Sequence, residues 1–186
     1  HLDLALDNIT NELSELRISI HETEKDIKEK QDAVEDLQND RKPYPLELKK
    51  ARQELQRALS DRYGRKIEVH SFADLFDITD EKWKNAIEGR LGRIKKSMIT
   101  EPAYALDAAK IFRRMQQFEE VDLINSEAVQ KDSPEADENS LYEAVHAESG
   151  YVDRCLKRYL GRIQKCETVE ELSTVKDGVT PDCYSY

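Results

Sequence analysis

The sequence has little of what marks secreted, metal-binding and membrane proteins. Its 186 residues include three cysteines, too few and too widely spaced to predict a disulfide framework or a paired metal-ligand motif. No run of 18 apolar residues occurs, so no membrane span is predicted, and no signal-peptide pattern opens the chain. This cysteine usage favours a reducing, cytoplasmic setting.

Motifs for nucleotide, metal and hydrolytic chemistry are missing as well. A phosphate-binding loop needs Gly-x-x-x-x-Gly-Lys-Ser/Thr, so that backbone amides and a lysine surround the phosphates. The nearest stretch, residues 89–93, has the wrong spacing. His70 and His146 lack partners at zinc-ligand spacing, and neither a Ser-His-Asp arrangement nor a carboxylate pair is visible. We expect no enzyme activity and no cofactor in this segment.

What the chain does have is charge. Charged residues make up 37% of it, the formal net charge is −10, and hydrophobic residues contribute 38%, below the roughly 45–50% of a typical globular domain. That deficit is expected if part of the chain is an exposed helix. Because the sequence begins at His1 rather than at a methionine, we also expect it to be a piece of a longer protein.

Apolar residues alternate three and four apart through the first 37 residues, which predicts a coiled-coil arm. A helix over residues 2–37 would be about 54 Å long at 1.5 Å per residue, more than a small domain can cover. The alternative is an amphipathic helix packed on its own domain. The seam is apolar except at Thr23 and Lys30, and its positions are Leu2, Leu6, Ile9, Leu13, Leu16, Ile20, Thr23, Ile27, Lys30, Val34 and Leu37.

Two prolines, Pro43 and Pro45, follow the first helix. A helix loses hydrogen bonds at proline, so we predict an elbow over residues 40–45. A second helix is expected over about 46–62, and its apolar positions continue the same rhythm. We therefore assign residues 1–62 to one jointed arm. The apolar side of the second helix consists of Leu48, Ala51, Leu55, Ala58 and Leu59.

Residues 63–186 predict an α+β or α/β domain of two similar halves, about 63–125 and 139–186, joined by a polar linker around Pro134. Strands and helices are expected to alternate in both halves. In the first, the expected strands are 65–70, 96–100 and 121–124, and the helices are 80–92 and 102–118. In the second, the expected helices are 151–160 and 168–173, and the strands are 162–166 and a terminal strand near Gly178.

Several segments resemble a known family. "RKPYP", then "LELKKARQELQRAL", then "LFDITDEKWKNAIEGRLG" are similar to the region entering the hinge of SMC-like ATPases. In the second half, "NSLYEAV", "YLGRIQKCETVEEL" and "DGVTPD" are similar too. The closest resemblance is to the SMC-like subunit of bacterial Wadjet plasmid-defence systems, a condensin relative. The residues that carry it are Tyr44, Pro45, Trp83, Ala86, Ile87, Glu88 and Leu91.

The resemblance implies a hinge-type domain that dimerises, joins two arms and helps to hold DNA. It implies a homodimer through the hinge, a returning arm of the same parent chain as a second partner, and a parent ATPase associated with the bacterial nucleoid. The alternative from the residues themselves is a coiled-coil scaffold or adaptor. Its globular end would bind a protein partner without any role in DNA binding.

Two runs of basic residues are candidate DNA contacts, because lysine and arginine clusters attract phosphates. The alternative for each run is an ordinary solvated helix face. The first run, which we prefer, consists of Lys82, Lys84, Arg90, Arg93, Lys95 and Lys96. The second consists of Arg154, Lys157, Arg158, Arg162 and Lys165.

Overall fold

The computed structural model describes residues 2–38 and 46–185. By its internal contacts the chain divides into two units, His1–Pro43 and Tyr44–Tyr186. The predicted elbow over residues 40–45 lies outside the described residues.

In the described part of the first unit the chain forms one long helix, α1, which spans Leu2–Gln38. Its described seam side chains are about half exposed, from 49% at Ile27 to 58% at Leu16. At the polar seam position Thr23, the hydroxyl donates to the Ser19 carbonyl at 2.8 Å, which satisfies it within the helix. The helix is therefore present as predicted, and its pairing into a coiled coil stays a prediction.

Helix α2, Leu46–Tyr63, belongs to the compact unit. Its apolar stripe is almost fully buried, with Leu48 at 3% and Ala51, Leu55 and Leu59 at 0% exposure. We had placed this helix in the arm, so the structure moves the boundary toward the N-terminus. A coiled-coil seam and a helix packed on its own domain both need one apolar stripe, and the sequence rhythm does not separate them.

The elements that follow α2 form two halves that share the order 3-10 turn, strand, helix, strand, helix. The first contains β1 His70–Ser71, a 3-10 turn Phe72–Asp74, β2 Asp77–Ile78, a 3-10 turn Glu81–Trp83, α3 Lys84–Leu91, a 3-10 turn Gly92–Lys96, β3 Met98–Ile99 and α4 Pro102–Phe112. Helix α5, Ser126–Asp132, leads to the second half. That half contains a 3-10 turn Leu141–Ala144, β4 Val145–His146, α6 Gly150–Leu160, β5 Gln164–Lys165, α7 Val169–Leu172 and β6 Gly178–Val179.

Strand pairing repeats between the halves. In the first half, β3 pairs antiparallel with β1 and forms a parallel bridge to Leu123. In the second, β5 forms an antiparallel bridge to Ser140 and pairs parallel with β6. The halves meet through β2 and β4, which pair antiparallel with Ile78 opposite Val145. The predicted mixed domain of two similar halves is confirmed.

The strands are shorter than predicted, for a reason visible around β1. Ile67 and Val69 are buried, as the alternating pattern of residues 65–70 suggested. Their amides donate to side chains of α2, however: Ile67 N to Ser60 Oγ and Val69 N to Gln56 Oε1, both at 3.0 Å. Side-chain acceptors thus take the place of a neighbouring strand.

Helix α5 was not predicted. It starts where the Asn125 side chain accepts a hydrogen bond from Ala128 N at 3.0 Å, which is an N-cap. It ends at Ser133, in the left-handed conformation with φ 43°. Only its last two residues lie in the polar stretch 131–139 that we predicted as an exposed linker.

The main core lies between the two halves. Phe72, Ile87, Leu141 and Leu156 are fully buried in one cluster that draws on both. Trp83, at 3% exposure, belongs to it, as expected of a core residue. A second cluster lies between α2, α4 and the residues around Met98.

Candidate functional site

Two ion pairs join α3 and the residues before it to the second half. Lys82 Nζ lies 2.5 Å from Glu167 Oε2, just after β5. One Arg90 nitrogen lies 2.7 Å from both carboxylate oxygens of Asp177, just before β6. Gly89, between them, packs against the Cys183 side chain so closely that a Cβ would overlap Sγ. The two halves are thus held together by charge as well as by the core.

The preferred DNA cluster is largely neutralised by these and similar contacts. Lys82 and Arg90 pair across the halves, and Arg93 lies 3.1 Å from Asp122. Lys84 and Lys95 lie 3.8 Å from Glu81 and Glu88. Of the six, Lys96 has no carboxylate partner among the described residues. Five of these cations have their charge balanced locally, so the structure weakens the argument for phosphate binding here.

The second basic run is balanced in the same way. Four of its five members pair with carboxylates, and Arg154 donates to the Gln130 carbonyl at 3.5 Å. The pairs are Lys157–Asp153 at 3.2 Å, Arg158–Asp132 at 2.8 Å, Arg162–Asp137 at 2.8 Å and Lys165–Glu143 at 2.9 Å. Those of Arg158 and Arg162 fasten the segment around α5 to α6.

A third basic cluster was missed from the sequence. Lys110, Arg113 and Arg114 line a cavity of about 500 Å³ together with Gln116. All four are exposed, and within the described residues none of the three cations has a carboxylate partner. The signal in the sequence was their spacing of three and four residues, which places them on one helical face.

A polar clamp fastens α2 to α4. The Tyr63 hydroxyl donates to Asp107 Oδ2 at 2.7 Å, and Arg62 Nε donates to the same oxygen at 2.9 Å. The hydrogen bond from Tyr63 lowers the pKa of the Asp107 carboxyl. The Tyr63 and Tyr104 rings meet edge-on with centroids 4.9 Å apart, and Arg65 donates to the Tyr104 hydroxyl. These contacts hold the C-terminal end of α2 against α4.

Reactive groups are few in the described part of the chain. Burial raises the pKa of the Cys155 thiol to about 12, and burial likewise raises the pKa of the Cys166 thiol. His70 Nε2 lies 3.5 Å from Glu68 Oε2. Among the described residues no group of three or more His, Cys, Asp or Glu side chains is placed to hold a metal ion, and no helix has the length and apolarity to cross a membrane.

Comparison with solved structures identifies the fold. A Pyrococcus furiosus SMC hinge domain matches with a TM-score of 0.50 at 19% identity, over 74% of this chain and 80% of that one. A Geobacillus stearothermophilus SMC hinge domain, solved as an asymmetric dimer, matches with a TM-score of 0.53 at 16% identity. This match covers 85% of this chain and 68% of that one. The compact unit has the SMC hinge fold.

A third structure matches over more of the chain. The Pyrococcus furiosus Smc hinge domain with an extended coiled coil has a TM-score of 0.52 and 19% identity, and the match covers 96% of this chain and 70% of that one. No protein-family model and no curated protein matches the sequence. The likeness is therefore one of fold, carried by backbone arrangement at low identity.

The residues behind the sequence resemblance are, where described, mostly core residues of the hinge fold. Ala86 and Ile87 have 0% exposure and Leu91 has 2%. Tyr44 and Pro45 lie outside the described residues. Packing residues of this kind indicate the fold and do not by themselves distinguish one SMC-like protein from another.

Proposed function

We propose that this chain is the hinge module of an SMC-like ATPase, together with part of one arm. The observation that carries the proposal is the hinge fold of the compact unit. A 37-residue helix with a largely exposed apolar seam supports it, since a hinge needs arms to connect. The chemistry of the parent protein, ATP hydrolysis, would then lie elsewhere, and this segment would act mechanically.

Dimerisation is the first part of the proposal. A two-fold dimer uses the same surface on both copies, and the short sheets of each half have edges at which a second copy can add a strand. The Geobacillus stearothermophilus relative of this fold was solved as a dimer. We expect two copies of this chain to meet through their hinge folds.

Analytical ultracentrifugation of the full chain tests this part. The unaltered chain should sediment as a dimer at micromolar concentration. Ile20→Asp places a charge on the arm seam. Ile18→Asp is its matched control, because Ile18 is 58% exposed against 56% for Ile20 but lies off the seam. Both variants should remain dimers if the hinge holds the copies together. A monomer at high concentration would contradict the proposal.

The arms are the second part. We propose that α1 pairs through its seam with a returning arm of the same parent chain, as an SMC-like architecture requires. The polar seam positions Thr23 and Lys30 would then set the register. A second heptad segment encoded after Tyr186 in the parent gene is the expected observation, and a parent lacking one would contradict this part.

The finer assignment concerns DNA and biological role. We propose that the hinge helps to hold DNA between the arms, in the bacterial cytoplasm at the nucleoid, and that the parent is the condensin-related subunit of a Wadjet plasmid-defence system. The order of Trp83, Ala86, Ile87 and Leu91 supports an SMC-like parent, and the assignment to the Wadjet subunit rests on the sequence resemblance alone. A plasmid-maintenance assay with and without the intact parent tests the role: equal plasmid retention would contradict it.

One observation favours a different function. Five of the six cations in the preferred cluster are paired with carboxylates, as expected of a scaffold or adaptor without a DNA role. In that case the arm, and not the hinge, would hold the copies together. Ile20→Asp would then dissociate the dimer while Ile18→Asp would not, so the same sedimentation experiment separates the two functions.

A further inference from the structure

The described cations best placed for a ligand lie at the end of α4. Lys110, Arg113 and Arg114 are exposed, line the 500 Å³ cavity and lack carboxylate partners within the described residues. This differs from both predicted clusters, in which nearly every cation is balanced. Such a group in a chain of net charge −10 has its positive field available to an anion.

The backbone explains why the three side chains converge. Helix α4 ends at Phe112, but Arg113 N still donates to the Ala109 carbonyl and Arg114 N to the Ile111 carbonyl, both at 3.0 Å. The helical turn therefore continues through Arg114, and positions 110, 113 and 114 share one face. Cations also suit the negative end of a helix dipole, which favours their sign. Among the described residues no carboxylate lies within ion-pair distance of the three side chains.

The neighbouring helix adds to the same field. Helix α2 runs antiparallel to α4, because Gln117 donates to Glu54 at 3.2 Å near one end and Arg62 pairs with Asp107 at 2.9 Å near the other. Arg57 lies between these contacts in the sequence, is exposed, and has no carboxylate partner in the described part of the chain. Residues 46–66 carry seven basic and three acidic side chains. Residues 102–117 carry three basic side chains and one acidic side chain.

Two acidic groups close to this surface are already engaged. Asp107 accepts hydrogen bonds from Tyr63 and Arg62, and the Glu54 carboxylate accepts from Gln117. Asp107 also attracts Lys110 through space, but neither carboxylate lies within ion-pair distance of the three cations. The α2–α4 pair is thus a basic surface on an acidic protein.

We propose that this surface, centred on Lys110, Arg113 and Arg114, binds the phosphates of double-stranded DNA, in place of the two clusters that the sequence indicated. The inference rests on the proposed function, since it names the site at which the hinge would hold DNA. Guanidinium groups bind phosphate oxygens in bidentate fashion, and lysine acts as a point charge. Contacts of this kind carry no base sequence information.

The surface fits a phosphate backbone better than an acidic protein segment. Protein interfaces have an apolar, desolvated centre, and Leu106, 56% exposed, is the large apolar side chain that α4 leaves open on this side. One exposed leucine is not a patch. An open basic surface without an apolar centre is typical of binding through counterion release.

The test compares two triple variants that each remove three positive charges. Lys110→Gln/Arg113→Gln/Arg114→Gln removes the proposed site, and Arg93→Gln/Lys95→Gln/Lys96→Gln removes half of the preferred sequence-based cluster. Binding of a fluorescein-labelled 30-base-pair duplex is measured by anisotropy over a salt series, with thermal melts to establish that each variant is folded. The first variant should bind at least about tenfold more weakly. Its plot of log affinity against log salt should be shallower by about three, at roughly 0.9 per lost phosphate contact.

The second triple variant should bind within about twofold of the unaltered chain. Equal losses in both variants, a loss only in the second, or no binding by the unaltered chain at low salt would each overturn the inference. Sedimentation of the same proteins separates this from the hinge proposal, which predicts dimers in every case. If the first variant dissociates the dimer and leaves DNA binding unchanged, the surface binds an acidic segment of a second copy, and the inference is wrong.

Discussion

At the scale of single residues, Tyr142 shows how a polar group is accommodated near the core. Its hydroxyl donates to Asp153 Oδ1 at 2.5 Å, and Lys157 lies 3.2 Å from the same carboxylate and 5.5 Å from the Tyr142 ring centre. Burial, followed by the hydrogen bond to Asp153, raises the pKa of Tyr142 to about 12. The bond ties the turn Leu141–Ala144 to α6.

Ultraviolet titration of the phenols tests this arrangement. The difference between the unaltered chain and Tyr142→Phe should show one phenol that ionises near pH 12, and Asp153→Ala should lower that pKa without returning it to 10, because burial remains. The neutral phenol is the form favoured by folding. Its stabilising effect is therefore complete below pH 10, the unfolded value, and is lost as the pH rises through about 12. A difference spectrum centred on pH 10 would contradict the assignment.

The sequence was least informative about the contacts of individual charged residues. The basic runs could be read from the chain, but their carboxylate partners are far away in sequence: Arg90 pairs with Asp177, and Lys82 with Glu167. The sequence shows which charges lie on one helix, but it does not show which carboxylates the fold places next to them. The unbalanced group at Lys110, Arg113 and Arg114 was overlooked for the same reason.

At the scale of elements, α6 illustrates how local pattern and tertiary contact combine. The predicted helix over 151–160 is Gly150–Leu160 in the structure, with Val152, Cys155, Leu156 and Leu160 buried. Its end is shaped by the segment before the second half, since Asp137 N donates to the Gly161 carbonyl at 2.8 Å. A Cβ on Gly161 would lie 3.0 Å from the Ala136 Cα and would overlap the Lys157 carbonyl.

Two glycine substitutions at the ends of α6 test this close approach. Gly161→Ala should lower the free energy of unfolding by about 1–3 kcal/mol, as overpacking against backbone does. Gly150→Ala is the matched control, since nothing lies within 4 Å of its added Cβ. It should be neutral or stabilise by up to about 1 kcal/mol. Chemical denaturation measures the stability of both variants. Equal stability would show that the backbone near Ala136 leaves room for a methyl group at residue 161.

Elements also show the limit of periodicity. The stripe of α1 and the stripe of α2 follow one rhythm in the sequence, yet Leu16 is 58% exposed and Leu55 is fully buried. What differs is the surface opposite each helix: α2 has α4 beside it, within the same compact unit. The sequence therefore predicted that both segments are helical, but it did not predict that α2 belongs to the compact unit.

At the scale of the whole molecule, the pairing of β2 with β4 and the two ion pairs of the α3 region hold the halves together. The pairs differ in their access to water. The Arg90 and Asp177 side chains are 27% and 43% exposed, and those of Lys82 and Glu167 are 50% and 57% exposed. Solvent screens an exposed pair more strongly than a partly buried one.

Double-mutant cycles with alanine should therefore separate the two pairs. We expect a coupling free energy of about 1 kcal/mol for Arg90–Asp177 and below about 0.5 kcal/mol for Lys82–Glu167, with the latter vanishing in about 1 M salt. Urea unfolding of the four single variants and two double variants measures both couplings. If Lys82–Glu167 couples as strongly as Arg90–Asp177, solvent exposure does not determine the coupling free energy of these ion pairs.

The sequence by itself determined the long helix α1, the alternation of helices and strands, and the repeat of two halves. Each of these depends on local spacing, turn residues and apolar pattern, which are readable along the chain. Only the tertiary structure decided that α2 packs on α4, that Ser60 and Gln56 replace a strand beside residues 65–69, and which cations are left unbalanced. Those outcomes depend on residues distant in sequence, whose proximity is created by burying a shared core.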